Sequence, residues 1–184
     1  MLEEHISDTK KMKTYFSKKD ALRLRKLSGH LLTQFVITED STFLEQSYVA
    51  YALAKLISKP HYLGYREWDR FKSKVTETLE SGIRLLEKGN IKNYIKKLTT
   101  LSSEIEKIDE GLGHYVSNVL EKAHLRNANH LYASGMSLSK AAEITKISEQ
   151  ELLTYSGATK MHEVDVIKSI RERLKAIKKL EGKK

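Results

Sequence analysis

Residues 135–157 have the sequence GMSLSKAAEITKISEQELLTYSG and form the most specific pattern in the chain. Ser137 can cap a helix over residues 138–145, because its hydroxyl can accept a hydrogen bond from a free backbone amide. Ser148 and Glu151 have the spacing of a capping box, which predicts that a second helix begins at once. Only three residues remain for the turn between them. The stretch therefore predicts two short helices joined by a tight turn.

The apolar residues of this stretch are spaced so that each helix can bury one side. Ala142 is small, which suits a position where two helices cross closely. Ile147 stands in the turn and is expected to reach the core, as are Leu152 and Tyr155 in the second helix. The residues expected to pack are Leu138, Ala141, Ala142, Ile144, Ile147, Leu152 and Tyr155.

The combination of helix, three-residue turn and helix, with Ala142, Ile147 and Leu152 five residues apart, resembles the helix-turn-helix of bacterial and archaeal regulators. It is also similar to the corresponding part of small antitoxin-like proteins. The resemblance covers about residues 137–156. It implies that the second helix enters the major groove of duplex DNA while the first lies across the backbone.

The turn differs from that resemblance at Lys146. Such regulators usually have glycine there, since the residue often takes a left-handed backbone conformation. A residue with a side chain costs on the order of 1 kcal/mol in that conformation. We expect the turn to form with this cost.

The resemblance assigns possible contacts with DNA. Gln150 and Thr154 are the candidates for base contacts, and glutamine suits adenine. Lys140, Lys146 and Lys160 are the candidates for phosphate contacts, which set affinity without sequence preference. Glu149 opposes this interpretation because a carboxylate is repelled by phosphates.

Leu153 supports a different function. It follows Leu152 directly, so the two side chains cannot share one helix face, and Leu153 is expected to be exposed. An exposed leucine on this helix suits a protein partner at least as well as a DNA groove. A protein-interaction module, such as an adaptor or an antitoxin-like partner, is therefore the main alternative to DNA binding.

The charge of the chain favours a polyanionic partner. The net charge is +9 and the sequence pI is about 9.5. Residues 126–184 hold 12 Lys or Arg against 7 Asp or Glu, and residues 168–184 hold eight against two. A Lys-rich helical protein can also carry such charge for solubility alone, so charge does not decide between the two.

The rest of the chain predicts an all-α protein. It has one Pro and no Cys, and apolar residues recur at helical spacing. We expect an N-terminal helical bundle over residues 1–112 and a C-terminal unit over residues 113–184. That unit would carry the helix-turn-helix and a basic helix from about Val164 to Leu180.

The sequence also predicts individual helices of the N-terminal bundle. Capping boxes are expected at Ser17–Asp20 and Thr42–Glu45, a buried helix at Tyr48–Ile57, and a helix end at Gly89-Asn90. Three apolar stripes at helical spacing are expected to be buried: Leu24/Leu27/Leu31/Phe35, Trp68/Phe71/Val75/Leu79/Ile83/Leu86 and Ile91/Tyr94/Leu98/Leu101/Ile105/Ile108.

The chain gives little support for a membrane or a metal site. Its start lacks the apolar core of a secretory signal, and its most apolar run is too short to cross a bilayer, so we expect a cytoplasmic protein with no membrane association. Glu121 and His124 share a helix face, as in carboxylate-bridged dimetal bundles, but a matching second pair is absent. No metal or other cofactor is expected.

An enzymatic alternative rests on a second resemblance. Helical ribonucleases of the HEPN type carry an Arg and a His separated by four to six residues, and Arg25 with His30 has this spacing. Arg126 with His130 is similar in composition but has only three intervening residues. Two-residue patterns of this kind arise readily by chance. We therefore expect a non-enzymatic, regulatory DNA-binding protein, acting as a homodimer because one short recognition helix buries little surface.

Overall fold

A computed structural model describes residues 1–111 and 119–159 of the chain. All regular secondary structure in these two ranges is helical, as the sequence predicts. The helices are α1 (Leu2–Ser17), α2 (Ala21–Thr38), α3 (Ser41–Ile57), α4 (Pro60–Leu63), α5 (Trp68–Glu87), α6 (Ile91–Gly111), α7 (Val119–Ala133), α8 (Leu138–Thr145) and α9 (Glu149–Thr159). None of these described helices combines the length and the apolar character that a membrane crossing requires.

The chain divides into two compact units, residues 1–123 and residues from 124 onward. The division falls inside α7. The boundary expected from the sequence, between residues 112 and 113, lies outside the described residues, as does the expected basic helix at 164–180. The predicted N-terminal helical bundle is confirmed.

Helix α3 forms the centre of the first unit. Fourteen of its 17 residues are buried, as expected for the apolar run at Tyr48–Ile57. Helices α1, α2, α4 and α6 all pack against it, and α5 packs against α1 and α6. The sequence-predicted stripes of α2, α5 and α6 are buried, except for Ile91 at the start of α6. The coiled-coil-like spacing in α6 therefore serves packing inside the bundle.

Helix α1 was not expected from the sequence. Its buried side consists of His5, Asp8, Thr9, Met12 and Phe16. Three of these five residues are polar, so the side that packs on the bundle does not stand out as an apolar stripe.

A hydrogen-bonded network explains how two of those polar side chains are buried. Gln46 of α3 donates through Nε2 to the His5 carbonyl at 3.2 Å and to Tyr94 Oη at 3.0 Å. Thr9 Oγ1 donates to the His5 carbonyl at 2.7 Å and lies 2.7 Å from Tyr94 Oη. Burial raises the pKa of Tyr94 to about 12, so its hydroxyl keeps its proton and donates to Thr9. The network joins α1, α3 and α6.

The His5 ring extends this network to Asp40. Because Gln46 Nε2 faces the His5 carbonyl, Gln46 Oε1 accepts from His5 Nδ1 at 3.1 Å. His5 Nε2 lies 2.9 Å from Asp40 Oδ2. Both ring nitrogens of His5 thus lie within hydrogen-bond distance of a side-chain oxygen.

The starts of α2 and α3 differ from the two capping boxes expected from the sequence. Ser17 is the last residue of α1, and Asp20 caps α2 by accepting from the amide of Arg23 at 2.9 Å. Asp40 caps α3 by accepting from the amide of Thr42 at 2.8 Å. In both cases an aspartate at the end of the preceding turn, Asp20 or Asp40, accepts from a free amide at the helix start. The capping boxes expected at Ser17–Asp20 and Thr42–Glu45 were therefore wrong. The predicted helix end at Gly89-Asn90 is confirmed: Gly89 has φ +70°, and the Asn90 amide donates to the Leu85 carbonyl.

Asp40 makes the first unit sensitive to acid. Partial burial raises the pKa of its carboxyl, but the hydrogen bonds from Thr42 and His5 outweigh burial and leave the pKa below its usual value. A carboxyl whose pKa is lowered by folding adds stability above its unfolded pKa of about 4, and that stability is lost as the pH falls through the lowered folded pKa.

We therefore expect Asp40→Asn to lower the free energy of unfolding by about 1 kcal/mol at pH 6. The difference from the unsubstituted protein should shrink as the pH falls below about 4. Unfolding in denaturant, monitored through the fluorescence of Trp68 in the first unit, measures the difference in the free energy of unfolding. Asp20→Asn is the matched control, since it changes the other N-cap, which has no imidazole partner. A difference that stays constant down to pH 3 would contradict the role given to Asp40.

Candidate nucleic-acid interface

The turn between α8 and α9 is built by the backbone. Lys146 has φ 57° and ψ 36°, the left-handed conformation expected there. Its amide donates to the carbonyls of Ala142 and Glu143, and the Ile147 amide donates to the Ala142 carbonyl at 3.1 Å. This is a Schellman motif, which satisfies the free carbonyls at the end of a helix. The chain can therefore reverse within three residues.

Both helices begin at the caps expected from the sequence. Ser137 accepts from the amide of Lys140 at 3.3 Å. The amide of Ser148 donates to Glu151 Oε2 at 3.0 Å, and the amide of Glu151 donates to Ser148 Oγ at 3.2 Å. The Ser148 hydroxyl also donates to Glu151 Oε2, at 2.6 Å, and these bonds lower the pKa of the Glu151 carboxyl. The Glu151 carboxylate is thus directed back towards Ser148.

Small side chains form the core beneath the turn. Ala141, Ala142 and Leu152 are buried, as expected, and so are Ala128 and Leu131 of α7. Leu138, Ile144, Ile147 and Tyr155, which were also expected to pack, are half-buried. The expected core is therefore confirmed at its centre and remains partly open at its margins.

Polar contacts that the sequence did not predict connect α7 to both short helices. His124 Nδ1 donates to the Thr145 carbonyl at 2.8 Å. Ser156 Oγ donates to Asn129 Oδ1 at 2.6 Å. Thr145 is itself fully buried and donates to the Ala141 carbonyl. No local signal marks these pairs, because the partners are 21 and 27 residues apart.

The candidate contact residues that the structure describes are all at the surface. Lys140, Lys146, Gln150 and Thr154 are exposed. Lys160 lies outside the described residues. Gln150 and Thr154 are four residues apart and share one side of α9, where Thr154 Oγ1 donates to the Gln150 carbonyl at 2.8 Å. The Thr154 hydroxyl hydrogen is therefore already used, and the oxygen is left to accept.

We call this side of α9 the α9 edge and define it by Gln150, Leu153, Thr154 and Gly157. All four residues are exposed. Leu153 is 51% exposed beside the fully buried Leu152, as expected. The α9 edge therefore combines the amide of Gln150, a hydroxyl oxygen that can accept, the apolar side chain of Leu153, and a glycine, which has no side chain.

The charges around the α9 edge are balanced. Residues 124–159 contain three Lys or Arg and three Asp or Glu, and α9 itself has two Glu and no Lys or Arg. Glu149 and Glu151 are both exposed in its first turn. The positive excess of the C-terminal part of the chain lies in residues 160–184, with nine Lys or Arg against four Asp or Glu.

Arg25 and His30, the first pair of the ribonuclease alternative, do not converge. Arg25 Nη2 donates to Ser58 Oγ at 3.0 Å, whereas His30 Nε2 lies 4.0 Å from Asp8 Oδ2. Five residues along a helix place two side chains on different sides. Arg126 and His130 are half-buried in α7. The described residues also contain no cluster of three or more His, Asp or Glu side chains that could hold a metal ion.

The left-handed conformation of Lys146 has a measurable consequence. We expect Lys146→Gly to stabilise α8 and α9 by about 0.5 to 1 kcal/mol, because glycine adopts this φ without steric cost. Lys146→Ala is the control: it removes the same side chain without relieving the backbone and should bring no gain. Hydrogen–deuterium exchange of residues 138–156 measures both. Equal exchange in the two variants would contradict the strain assigned to Lys146.

The candidate interface is thus a pair of short helices with a backbone-built turn, a small core and one exposed edge. All the residues that form this candidate interface lie within residues 124–159. No protein-family model, curated protein or solved structure was found to match the chain.

Proposed function

We propose that the chain is a non-enzymatic DNA-binding protein, regulatory in role, that uses α8 and α9 as a helix-turn-helix. The observation that carries the proposal is the α9 edge: Gln150 and Thr154 are exposed on a helix whose start is capped and whose opposite side is buried. A recognition helix needs such a fixed start, because its first residues contact base edges in the major groove.

The chemistry of the α9 edge suits base contacts. The Gln150 amide both donates and accepts, which matches the paired acceptor and donor that adenine presents in the major groove. Thr154 donates to the Gln150 carbonyl, so its oxygen can accept from the amino group of adenine or cytosine. Lys140 and Lys146 are exposed at the start and the end of α8 and can contact phosphates.

The acidic first turn of α9 restricts this function. Glu151 is held by Ser148, so its carboxylate has a structural role. Glu149 is exposed. A carboxylate at a helix start stabilises the helix by interacting with the positive end of its dipole, but it is repelled by phosphates. The attraction to DNA would then come from the nine Lys or Arg of residues 160–184, beginning with Lys160.

We expect salt-dependent binding to a random-sequence DNA duplex, measured by fluorescence anisotropy. Lys140→Ala and Lys146→Gly should each weaken binding and reduce the slope of log affinity against log salt by about 0.9. Lys146→Gly is informative because it should stabilise the fold, so a loss of affinity cannot be attributed to unfolding. Lys92→Ala, at an exposed lysine of α6, is the control.

Two further variants test whether α9 itself lies in the groove. Glu149→Gln should tighten binding because it removes the repelled carboxylate. A Gln150→Ala/Thr154→Ala double variant should keep its affinity for random duplex but select different sequences from a randomised library. An absence of binding at low salt would overturn the proposal, as would a salt slope that Lys140 and Lys146 do not affect.

A second candidate function is protein binding through the α9 edge. It is favoured by the 51% exposure of Leu153 next to the acidic first turn. An apolar anchor with flanking carboxylates fits a partner that presents an apolar pocket rimmed by basic residues.

For this candidate we expect a protein that is captured from nuclease-treated lysate by the unsubstituted chain and by Lys146→Gly but not by Leu153→Ser. Quantitative mass spectrometry of the three captures measures it. Capture that is equal in all three would exclude Leu153 as an anchor, and loss with Lys146→Gly alone would favour nucleic acid instead.

A further inference from the structure

The start of α2 and the turn before it carry a group of positive charges. Residues 17–26 contain five Lys or Arg and one Asp, whereas residues 27–54 contain no Lys or Arg and three Asp or Glu. The five positively charged side chains are all exposed. With one half-buried lysine after α3, they form a surface that we call the basic end. The residues of the basic end are Lys18, Lys19, Arg23, Arg25, Lys26 and Lys59.

A tertiary contact brings Lys59 to this surface. Arg25 Nη2 donates to Ser58 Oγ at 3.0 Å, so the start of α2 lies beside the end of α3. Lys59 follows Ser58 directly, in the connection between α3 and α4. The basic end is therefore built from two connections of the bundle, which are far apart in sequence and adjacent in the fold.

The one carboxylate within the basic end is already used by the fold. Asp20 accepts from the Arg23 amide at 2.9 Å and lies 3.3 Å from Arg23 Nε. The Arg23 guanidinium also lies over the Tyr15 ring, 5.8 Å from its centroid. The other five cations of the basic end form no ion pair with any described residue. These five are Lys18, Lys19, Arg25, Lys26 and Lys59.

The positions of these charges do not favour the stability of the fold. Cations near a helix start oppose the positive end of its dipole, and the first turn of α2 contains Arg23 but no Asp or Glu. Lys19 has φ 54°, the left-handed conformation. A side chain there costs on the order of 1 kcal/mol, which glycine would avoid. Charge at positions where it weakens the fold favours a role in binding.

We propose that the basic end binds the phosphate backbone of a nucleic acid. Exposed Lys and Arg side chains contact phosphates without reading sequence, and each contact releases condensed counterions. An acidic membrane would need apolar anchors beside the cations. Leu22, which is 64% exposed, is the only large apolar side chain exposed there among the described residues. This surface belongs to the first unit, so the inference does not rest on α8 and α9.

Fluorescence anisotropy of the full chain with a random-sequence DNA duplex, over a series of salt concentrations, tests this. A Lys18→Ala/Lys19→Gly/Lys26→Ala triple variant should bind more weakly. Because three phosphate contacts are lost, the slope of log affinity against log salt should fall by about 2.7. Glycine at position 19 relieves the left-handed backbone, so the loss of affinity cannot be attributed to unfolding at this turn.

The matched control is a Lys92→Ala/Lys96→Ala/Lys97→Ala triple variant of α6. These three lysines are exposed, belong to the same unit and pair with no described residue, so the two triple variants have the same net charge. The control should keep the salt slope of the unsubstituted chain. Equal effects of the two triple variants would overturn the proposal, since net charge alone would then explain binding. It would also be overturned if the first variant lost affinity for phosphatidylserine vesicles but not for DNA.

Photo-cross-linking locates the contact. Leu22→p-benzoylphenylalanine should cross-link to the bound duplex, whereas Ile37→p-benzoylphenylalanine, at a side chain 65% exposed at the other end of α2, should not. Both should behave in the same way in a chain that also carries Lys140→Ala and Lys146→Gly, which separates the basic end from the helix-turn-helix. The proposal fails if the chain binds no DNA at low salt, or if bound DNA cross-links equally or not at all at the two positions.

Discussion

The amide of Gln46 is the interaction on which the first unit depends most. It is fully buried and makes hydrogen bonds to α1 and α6 at once, through His5, Thr9 and Tyr94. A buried amide that loses its partners costs about 1 to 3 kcal/mol. Because Gln46 of α3 is bonded to groups of both α1 and α6, a shift of any of these three helices along its axis would leave several polar atoms unpaired. The network therefore specifies the register in which α1, α3 and α6 pack.

The same constraint reaches α5 through the ring of Tyr94. A Cβ added at Gly82 of α5 would lie 3.0 Å from that ring, which is closer than packed carbon atoms normally approach. Gly82 thus allows Tyr94 to lie deep enough for its hydroxyl to reach Thr9 and Gln46. A glycine in the middle of a helix normally makes that helix less stable. Gly82 is nevertheless required in α5, because a larger residue there would displace Tyr94 of α6 from its hydrogen bonds.

The second unit is held by different means. Its helices α8 and α9 have eight and eleven residues, too few to be stable alone in water. They depend on short-range devices: the caps at Ser137 and Ser148, the Schellman turn at Lys146, and a core of small side chains around Ala142 and Leu152. The caps and the turn are local in sequence, so the sequence alone predicts them, whereas the contacts from His124 to Thr145 and from Ser156 to Asn129 span 21 and 27 residues.

That difference also explains how far the sequence could predict the fold and the candidate site. Apolar spacing predicted the buried sides of α2, α5 and α6, and cap spacing predicted both starts in the second unit. Helix α1 could not be predicted, because His5 and Thr9 are buried only through partners 41 and 85 residues away. For the candidate site, the sequence named Gln150 and Thr154 as candidates for base contacts, and both are exposed, but it did not predict the hydrogen bond that leaves the Thr154 hydroxyl oxygen only an acceptor.

The total charge of the chain is a poor guide to its candidate interface. The value of +9 coexists with a balance of three and three charges in residues 124–159. Glu149 and Glu151 are both exposed in the first turn of α9, and the Glu151 carboxylate is in addition hydrogen-bonded to Ser148. A partner of either class would therefore approach by the α9 edge, where the surface is neutral. Long-range charge would bring a polyanion near the chain, whereas specificity would come from uncharged contacts with Gln150, Leu153 and Thr154.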